Sequence, residues 1–285
     1  MDLKDLPSLS ETVRKHDLYA NKSLGQHFLL DMNLTDKIAR LADPLNDVHV
    51  TEIGPGPGGL SRALLLRGTK HLSVIEMDER FIPALVEIGD CSDGRLSIVK
   101  GDALRFDIAT QTSAPRKIIA NLPYNVGTKM LINWVSARPI FWEQMVLMFQ
   151  LEVAQRVVAS PGDNHYGRLA VLCQSVASCR LAFDVPARLF TPPPKVDSAV
   201  IVLEPLASPY PDLKALGRVT QAAFGQRRKM LRRSLRNLAK EENLDLASWL
   251  TNAGVDPQAR PETLPISAFH ALADKIGSQT SAHKT

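Results

Sequence analysis

The tetrapeptide Asn121-Leu122-Pro123-Tyr124 combines residue types suited to holding the exocyclic amine of a nucleobase. Such an amine is a weak nucleophile because its lone pair is delocalised into the ring, so a protein helps by accepting hydrogen bonds from its N–H groups. The Asn121 side-chain oxygen and the Leu122 carbonyl are suitable acceptors, and Pro123 stiffens the loop while removing a competing donor. The Tyr124 ring offers a stacking face, typically worth ~1–3 kcal/mol.

The chemistry that this loop predicts is in-line transfer of a methyl group to an amine nitrogen. Catalysis of that kind is mostly positioning and requires no metal and no side chain with a tuned pKa. The same residues also fit a proline turn after a strand, with Asn121 as a cap and Tyr124 as a packing residue. The loop alone distinguishes neither adenine from cytosine nor RNA from DNA.

A second candidate site is the glycine-rich run EIGPGPGGL, in which Gly54, Gly56 and Gly59 match the pattern GxGxxG. Glycines let a turn pass close to a bound nucleotide, and an acidic residue at the end of the next strand, here Glu76, accepts hydrogen bonds from both ribose hydroxyls. These features alone leave a nicotinamide dehydrogenase open as an alternative.

Two further acidic residues favour a class I methyltransferase over a dehydrogenase. Glu52 lies two residues before the first glycine, and Asp102 follows a third strand with a carboxylate able to accept from an adenine amine. Taken singly, Glu76 and Asp102 also fit helix caps or solvated loop charges. At successive strand ends, they are better explained together as cofactor ligands.

The elements that position these residues alternate as expected for a parallel sheet with crossover helices. Polar residues recur at the carboxyl ends of the predicted strands, where open α/β sheets bind ligands. The predicted strands are 48–53, 72–75, 96–99, 117–120 and 145–149, followed by a helix at 151–158 and a further strand at 198–203.

The remainder of the chain predicts a second, smaller helical domain. Three prolines after Phe190-Thr191 exclude a helix or a central strand and predict a rigid extended loop, and 205–211 is the best linker. Helices are expected at 212 to about 240, 244–251 and 266–276. We therefore divide the chain into an N-terminal extension at 1–20, a catalytic domain at 21–206 and a helical domain at 212–278.

The segment RRKMLRRSLR at 227–236 carries six positive charges and no acid, in a chain whose net charge is only +4. On a helix, Phe224, Leu231, Leu235 and Leu238 form an apolar stripe. A run of charge is usually a solvated face, but this density of one sign favours phosphate contact. The predicted RNA-binding residues are Arg227, Arg228, Lys229, Arg232, Arg233 and Arg236.

Composition limits the remaining possibilities. The sequence has neither an apolar run of membrane-spanning length nor a signal-peptide pattern, so we expect a soluble cytoplasmic protein. The three cysteines, Cys91, Cys173 and Cys179, match no metal-ligand spacing, and we expect them to be reduced, with no metal bound.

Seven stretches occur in an order that resembles the KsgA family of ribosomal RNA adenine dimethyltransferases, across about residues 20 to 240. They are KSLGQHFLLD, EIGPGPGGL, GDA, NLPYN, FQLEVAQRV, YGRL and FTPPPKVDSAV. The resemblance implies a Rossmann-like α/β methyltransferase domain with a small all-helical C-terminal domain. It also implies S-adenosyl-L-methionine as cofactor and dimethylation of N6 of two adjacent adenosines in the 3′-terminal hairpin loop of small-subunit (16S) rRNA.

The resemblance assigns roles to individual residues. Cofactor contacts would be His27, Leu29, Gly54, Glu76, Asp102 and Asn121, and we include Gly56 from the glycine turn. Phe190 would stack on the face of the flipped base opposite Tyr124, although packing is the alternative for a phenylalanine. His27 departs from the family pattern, because relatives commonly have GQNFL where this chain has GQHFL.

Two other functions stay open. One is a large-subunit rRNA adenine methylase of the antibiotic-resistance type, which shares a similar loop but lacks FTPPPKVDSAV. The other is an RNA-binding assembly factor without catalytic activity, against which the intact Asn121 loop argues. In either case the partner is ribosomal RNA, with the small ribosomal subunit favoured, and we expect a monomer when the protein is free.

Overall fold

A computed structural model describes residues 2–20, 26–226 and 229–282, with the last six of these described by their backbone only. The chain divides into two compact units. The first comprises residues 1–131, 137–154 and 180–204, and the second comprises residues 132–136, 155–179 and 205–285.

The first unit is built on a seven-stranded sheet flanked by helices. Its strand order is β4-β3-β2-β5-β6-β9-β7, where neighbours are hydrogen-bonded and numbers follow the chain. The strands are β2 (His49–Ile53), β3 (His71–Glu76), β4 (Leu96–Lys100), β5 (Arg116–Asn121), β6 (Gln144–Gln150), β7 (Ala177–Val185) and β9 (Ser198–Pro205). Strands β1 (Phe28–Leu29) and β8 (Phe190–Thr191) form a separate antiparallel pair.

The pairs from β4 to β6 are parallel, whereas β9 runs antiparallel to β6. All five residues of β2 are buried, as is usual where helices cover both faces of a parallel sheet. The parallel arrangement brings the carboxyl ends of β2, β3, β4 and β5 to one edge of the sheet. The predicted α/β class with a mostly parallel sheet is confirmed.

The helices begin and end at recognisable caps; α2, for example, begins after Asp31, whose side chain accepts a hydrogen bond from the Asn33 amide. Their bounds are α1 Leu9–Lys15, α2 Met32–Arg40, α3 Gly59–Leu66, α4 Ile82–Asp90, α5 Ile108–Gln111, α6 Gly127–Ser136, α7 Leu151–Val158, α8 Arg168–Gln174, α9 Leu213–Phe224, α10 Leu231–Ser234, α11 Arg236–Glu241, α12 Leu246–Asn252 and α13 Ile266–Ala282.

The predicted strands lie within about two residues of the observed bounds, and the helix predicted at 151–158 has the observed limits. The pattern did not reveal β7, whose residues are mostly only partly buried and whose alternation is weak. It also did not reveal that Phe190 and Thr191, predicted as loop, pair with Leu29 and Phe28. That pairing joins residues far apart in sequence, which local periodicity cannot show.

The predicted N-terminal extension at 1–20 is integrated into the first unit. Leu9 and Leu18 are buried, and the buried Arg62 of α3 donates hydrogen bonds to the Pro7 carbonyl and to the Thr12 hydroxyl. Lys15 forms an ion pair with Glu87 of α4 at 2.7 Å. Residues 2–20 therefore pack against α3 and α4 rather than forming a separate segment.

The helix predicted from 212 to about 240 is wrong as one continuous helix. Helix α9 ends at Phe224, Met230 is extended, and α10 begins only at Leu231. The amides of Leu231 and Arg232 donate to the Ala259 and Pro257 carbonyls, which supply the partners that a continuous helix would have provided. A tertiary contact with residues 257–259 therefore overrides the local helical pattern.

The second unit contains the helices at 213–282, and it also contains residues 132–136 and 155–179. The boundary predicted near 206 coincides with the point where the chain re-enters this unit at 205. The predicted catalytic domain at 21–206, by contrast, included segments that cluster with the helices. The functional assignment of the two parts stays a prediction.

Candidate functional site

A cavity of about 250 Å³ lies at the carboxyl edge of the parallel strands in the first unit. This is the edge at which open α/β sheets bind ligands. Its lining contains Gln26, His27, Phe28, Gly54, Gly56, Glu76, Met77, Asp78, Asp102, Asn121, Leu122, Pro123 and Tyr124. Most of the residues predicted from the sequence are therefore gathered around one space.

The glycine turn after β2 has a backbone conformation that side chains disfavour. Gly54 and Gly56 have φ angles of +62° and +54°, in the left-handed region. The Gly56 amide donates a hydrogen bond of 3.1 Å to the Glu76 carboxylate. The turn therefore exposes backbone to the cavity and is tied to the end of β3.

Glu76, the last residue of β3, is a buried carboxylate with capacity for further hydrogen bonds. One oxygen accepts from the Gly56 amide, and the other accepts from the Asp78 amide at 2.8 Å. Burial raises the pKa of Glu76, and these backbone donors oppose that shift. Because each oxygen can accept more than one hydrogen bond, both remain available to a ligand hydroxyl in the cavity.

Asp102 follows β4 and also lines the cavity. Its carboxylate accepts a hydrogen bond from the Leu104 amide at 2.9 Å, and Arg105 lies 3.9 Å from its second oxygen. The side chain is 40% exposed. Asp102 therefore caps a turn, in agreement with the alternative that it is a cap or loop charge. It also faces the space in which a ligand would bind.

The Asn121 loop leaves the sheet at the end of β5. Asn121 is still in register with Met148 of β6, and the amides of Val126 and Gly127 donate to the Pro123 carbonyl as α6 begins. Gly127 is closely packed, because a Cβ there would lie 3.0 Å from the Phe149 ring. The loop is thus held between a strand end and a helix start, which suits a group that must be placed accurately.

Tyr124 is held by a residue that the sequence analysis did not identify. Its hydroxyl lies 2.8 Å from the hydroxyl of Ser198, which is fully buried at the start of β9. Burial raises the pKa of Tyr124, and the hydrogen bond with Ser198 acts in the opposite direction. The two residues are 74 positions apart in sequence, and no local motif links them.

The His27 ring contacts both aromatic residues assigned to the base. It stacks on Tyr124 with a centroid distance of 5.7 Å and contacts Phe190 edge-on at 6.5 Å. Phe190 itself is only 2% exposed and belongs to the hydrophobic core, as does Leu29 in the same strand pair. Both lie outside the cavity lining, so base stacking by Phe190 and cofactor contact by Leu29 stay predictions.

Glu52 is the acidic residue near the carboxyl end of β2, and the sequence analysis gave it no role as a ligand. It is buried, and the Ser61 hydroxyl donates to its carboxyl group at 2.6 Å. Burial raises the pKa of Glu52 to about 8, so the group is largely protonated at neutral pH. Its position two residues before Gly54 was the only sequence signal for it.

The basic residues are found in the second unit. Arg227 and Arg228 lie outside the described residues, whereas Lys229, Arg232, Arg233 and Arg236 are exposed. Of the predicted apolar stripe, Leu231, Leu235 and Leu238 are buried, whereas Phe224 is partly buried; because the helix is interrupted after Phe224, the four residues do not form a stripe on one helix. Phosphate binding by the exposed side chains stays a prediction.

Within the described ranges, no group of three or more His, Cys, Asp or Glu side chains is arranged to hold a metal ion. The helices described are all too short or too polar to cross a bilayer.

Comparison with known proteins places this geometry in context. The sequence matches the family model described as ribosomal RNA adenine dimethylase across residues 18–277. A relative from Rhizobium meliloti is 54% identical over 95% of this chain and 98% of its own length, and one from Maricaulis maris is 52% identical over 96% of each. Both are named ribosomal RNA small subunit methyltransferase A.

Two solved structures are similar to most of this chain. A dimethyladenosine transferase from Plasmodium falciparum superposes with a TM-score of 0.75 at 25% identity, covering 89% of this chain and 98% of that one. The 23S rRNA methyltransferase ErmE superposes with a TM-score of 0.67 at 25% identity, covering 88% and 99%.

Proposed function

This chain belongs to the ribosomal RNA adenine dimethylase family, and we propose that it dimethylates N6 of two adjacent adenosines in small-subunit rRNA. The target would be the loop of the 3′-terminal hairpin of 16S rRNA. The relatives of more than 50% identity named for the small subunit support this assignment. The observation that carries it is the single cavity that Glu76, Asp102, Asn121 and Tyr124 share.

S-adenosylmethionine is the methyl donor, and the cavity offers partners for its adenosine and for its positively charged sulfonium. When bound, it supplies a methyl group on a positively charged sulfonium. The carboxylate of Glu76 would accept from the ribose hydroxyls, and that of Asp102 from the adenine amine. The two carboxylates also favour a cationic ligand at this edge of the sheet, and the glycine turn leaves space beside them.

The acceptor adenine would be held by the Asn121 loop. The Asn121 side-chain oxygen and the Leu122 carbonyl accept the two N–H groups of N6, which directs the nitrogen lone pair toward the methyl group. The bound cofactor would supply the methyl group for the new N–C bond and leave as the neutral thioether, and the amine proton would pass to solvent. Tyr124, fixed by Ser198, provides a stacking face for a base that has left its helix.

Binding of the rRNA backbone would rest on Lys229, Arg232, Arg233 and Arg236. Phosphate contacts of this kind supply affinity without sequence information, so the choice of adenosine depends on RNA shape and on the loop that enters the cavity. The partner would be the small ribosomal subunit or a precursor of it, which would place the enzyme in the cytoplasm.

The likeness to ErmE keeps a large-subunit target as the second candidate. The two candidates predict different methylated nucleotides. Incubation with labelled S-adenosylmethionine and undermodified small subunits, followed by primer extension, separates them because dimethylated adenines stop the polymerase. We expect stops at two adjacent positions in the 3′-terminal hairpin, and label confined to large-subunit rRNA would overturn the proposal.

Replacement of Asn121 distinguishes an enzyme from an assembly factor that only binds RNA. We expect Asn121→Ala to lower turnover by roughly 10²–10³-fold or more, the usual cost of one preorganised hydrogen-bonding group, with subunit binding nearly unchanged. Turnover is measured by methyl incorporation, and binding by filter retention. A variant with normal turnover would refute the role given to Asn121.

A further inference from the structure

The second unit contains a cavity of about 390 Å³, which we call the helical cleft. It lies between one face of residues 218–225, on α9 and its C-cap, and one face of residues 234–241, on α10 and α11. In each range the lining positions recur at intervals i, i+3, i+4 and i+7, which is the spacing of residues on one side of a helix. Two helical faces therefore oppose each other across this space.

The helical cleft depends on the interruption of the helix after Phe224. The chain resumes at Leu231 as α10 and α11, and both helices contact α9. The opposite face of α9 already serves the core of this unit, because Leu216, Val219 and Ala223 are fully buried there. The face of α9 that lines the helical cleft is therefore not needed for packing and is available to a ligand.

The charges in the helical cleft compensate each other. Among the described residues of its lining, the charged ones are Arg218 and Glu241, and the Arg218 guanidinium donates a hydrogen bond of 3.4 Å to the Glu241 carboxylate. Arg218 also forms an ion pair with Glu242. A phosphate in this space would meet two carboxylates and a cation that is already engaged, so the lining disfavours an anion.

The uncharged polar side chains suit the edge of a nucleobase. Gln221 on α9 and Asn237 on α11 are exposed amides on the two opposing faces, and an amide can both donate and accept hydrogen bonds, as a base edge does. Ala222 and the buried Leu238 add apolar surface for the ring. The volume also lies within the range of ~300–1,000 Å³ that is usual for pockets that hold small organic groups.

Exposed cations occur in the same stretch of chain as the helical cleft. Arg233 and Arg236 directly precede the lining residues Ser234 and Asn237, and Lys229 lies in the connection between α9 and α10. Sequence-specific binding of RNA mostly uses unpaired bases, which can turn out from the backbone. A backbone held by these cations would leave such a base close to the amides.

We propose that the helical cleft binds one unpaired nucleobase of the rRNA, so that the second unit reads a base as well as phosphates. The inference rests on the proposed function, because rRNA is the ligand that this function names. It adds a recognition site in the helical unit to the one that the Asn121 loop would provide for the methylated adenine.

The experiment separates contact with a base from contact with phosphate. For the double variant Gln221→Ala/Asn237→Ala we expect the Kd for undermodified small subunits, measured by filter retention, to rise on the order of tenfold, because hydrogen bonds to a base edge are lost. Its dependence on salt concentration should equal that of the wild type. Lys229→Ala should instead weaken binding and lower the slope of log Kd against log salt by about one.

Two further variants complete the design. Asn252→Ala removes an exposed amide from α12, outside the lining, and should leave subunit binding unchanged. Ala222→Leu fills the helical cleft without removing a polar group and should weaken binding as the double variant does. If the double variant does not fold, as judged by thermal melting, Ala222→Leu decides the question in its place.

Three results would overturn the inference. One is a double variant that binds subunits as tightly as the wild type while Lys229→Ala binds more weakly. A second is a double variant whose salt slope falls as that of Lys229→Ala does, because the amides would then contact phosphate. The third is an equal loss of affinity in Asn252→Ala, which would show that the effect is not specific to the helical cleft.

Failure of the proposed function gives a different result. A wild-type protein that binds small subunits without methylating them would overturn the proposed function, and the same comparison of affinities would still decide the role of the helical cleft. A wild-type protein that binds no small subunits would overturn both.

Discussion

The two ends of the parallel strands in the first unit both carry polar side chains; among the described residues, those at the amino ends hydrogen-bond to one another, whereas those at the carboxyl ends line a cavity. At the amino edge, His49 Nε2 lies 2.8 Å from the Ser73 hydroxyl, and His71 Nε2 lies 2.9 Å from the Ser97 hydroxyl. The two imidazoles contact each other with a centroid distance of 4.7 Å. At the carboxyl edge, Glu76 and Asp102 line a cavity.

Both edges also contain groups whose pKa values are strongly shifted. Burial lowers the pKa of His49 to about 4 at the amino edge and raises that of Glu52 to about 8 near the carboxyl end of the same strand. A shifted pKa therefore does not by itself mark a site in this protein. The distinguishing feature is a cavity lined by groups that still have hydrogen-bonding capacity.

The largest expected effect is on cofactor affinity, and it should differ between substitutions near the two ends of strand β3. We expect Glu76→Ala to weaken S-adenosylmethionine binding by at least about 100-fold, since two hydrogen bonds to a charged group, each worth ~1.5–3 kcal/mol, would be lost. Calorimetric titration measures the change. The matched control is Ser73→Ala at the opposite end of β3, which removes the hydrogen bond to His49 and should leave cofactor affinity unchanged.

If both substitutions weakened cofactor binding equally, the contrast between the edges would be wrong. The effect of Glu76→Ala would then reflect a general loosening of β3 rather than a lost ligand contact. Glu76→Gln tests the contribution of the negative charge separately, because it keeps the side-chain volume and one acceptor oxygen but removes the charge.

The carboxyl ends of the parallel strands, which line the cavity, were also the part of the fold that the sequence could best predict. Glu76, Asp102 and Asn121 each follow an apolar run, and parallel strands bring such ends together whatever their order in the sheet. Local pattern and topology rules were sufficient for these three residues.

Ser198 and the pairing of β1 with β8 could not be found in this way. The contact between Ser198 and Tyr124 depends on side-chain geometry across 74 residues. Similarly, the helix expected across 225–230 is interrupted because residues 257 and 259 accept hydrogen bonds from Arg232 and Leu231. Both are tertiary contacts, for which a single sequence carries no periodic signal.

A smaller effect per pH unit concerns how the free energy of unfolding depends on pH between about 4.5 and 8. The pKa of Glu52 is raised in the folded state, so its stabilising contribution is complete below about 4.5 and is lost as the pH rises toward about 8. We expect the free energy of unfolding of the wild type to fall by at most ~1.4 kcal/mol per pH unit in this range from this group.

Glu52→Gln retains the size of the side chain and an acceptor for the Ser61 hydroxyl but cannot ionise. Urea denaturation between pH 5 and 8 should therefore show a flatter pH dependence for the variant than for the wild type. Equal slopes would mean that Glu52 is already ionised in the folded protein at neutral pH.

The smallest effect has the opposite sign and belongs to the amino edge. The Ser113 amide lies 3.4 Å from His49 Nδ1 and donates to it, so the folded state holds this imidazole neutral. Because burial lowers the pKa of His49 to about 4, the unfolded chain binds a proton first as the pH falls below about 6.5. The stabilising contribution of this group should therefore decline between pH 6.5 and 4, a narrower window than that of Glu52.

Denaturation of the wild type and of His49→Gln over this range should give a steeper loss of stability for the wild type, while S-adenosylmethionine affinity at pH 7.5 stays the same in both. A change in that affinity would show that the amino edge is coupled to the cavity, contrary to the separation of roles inferred for the two ends of the sheet.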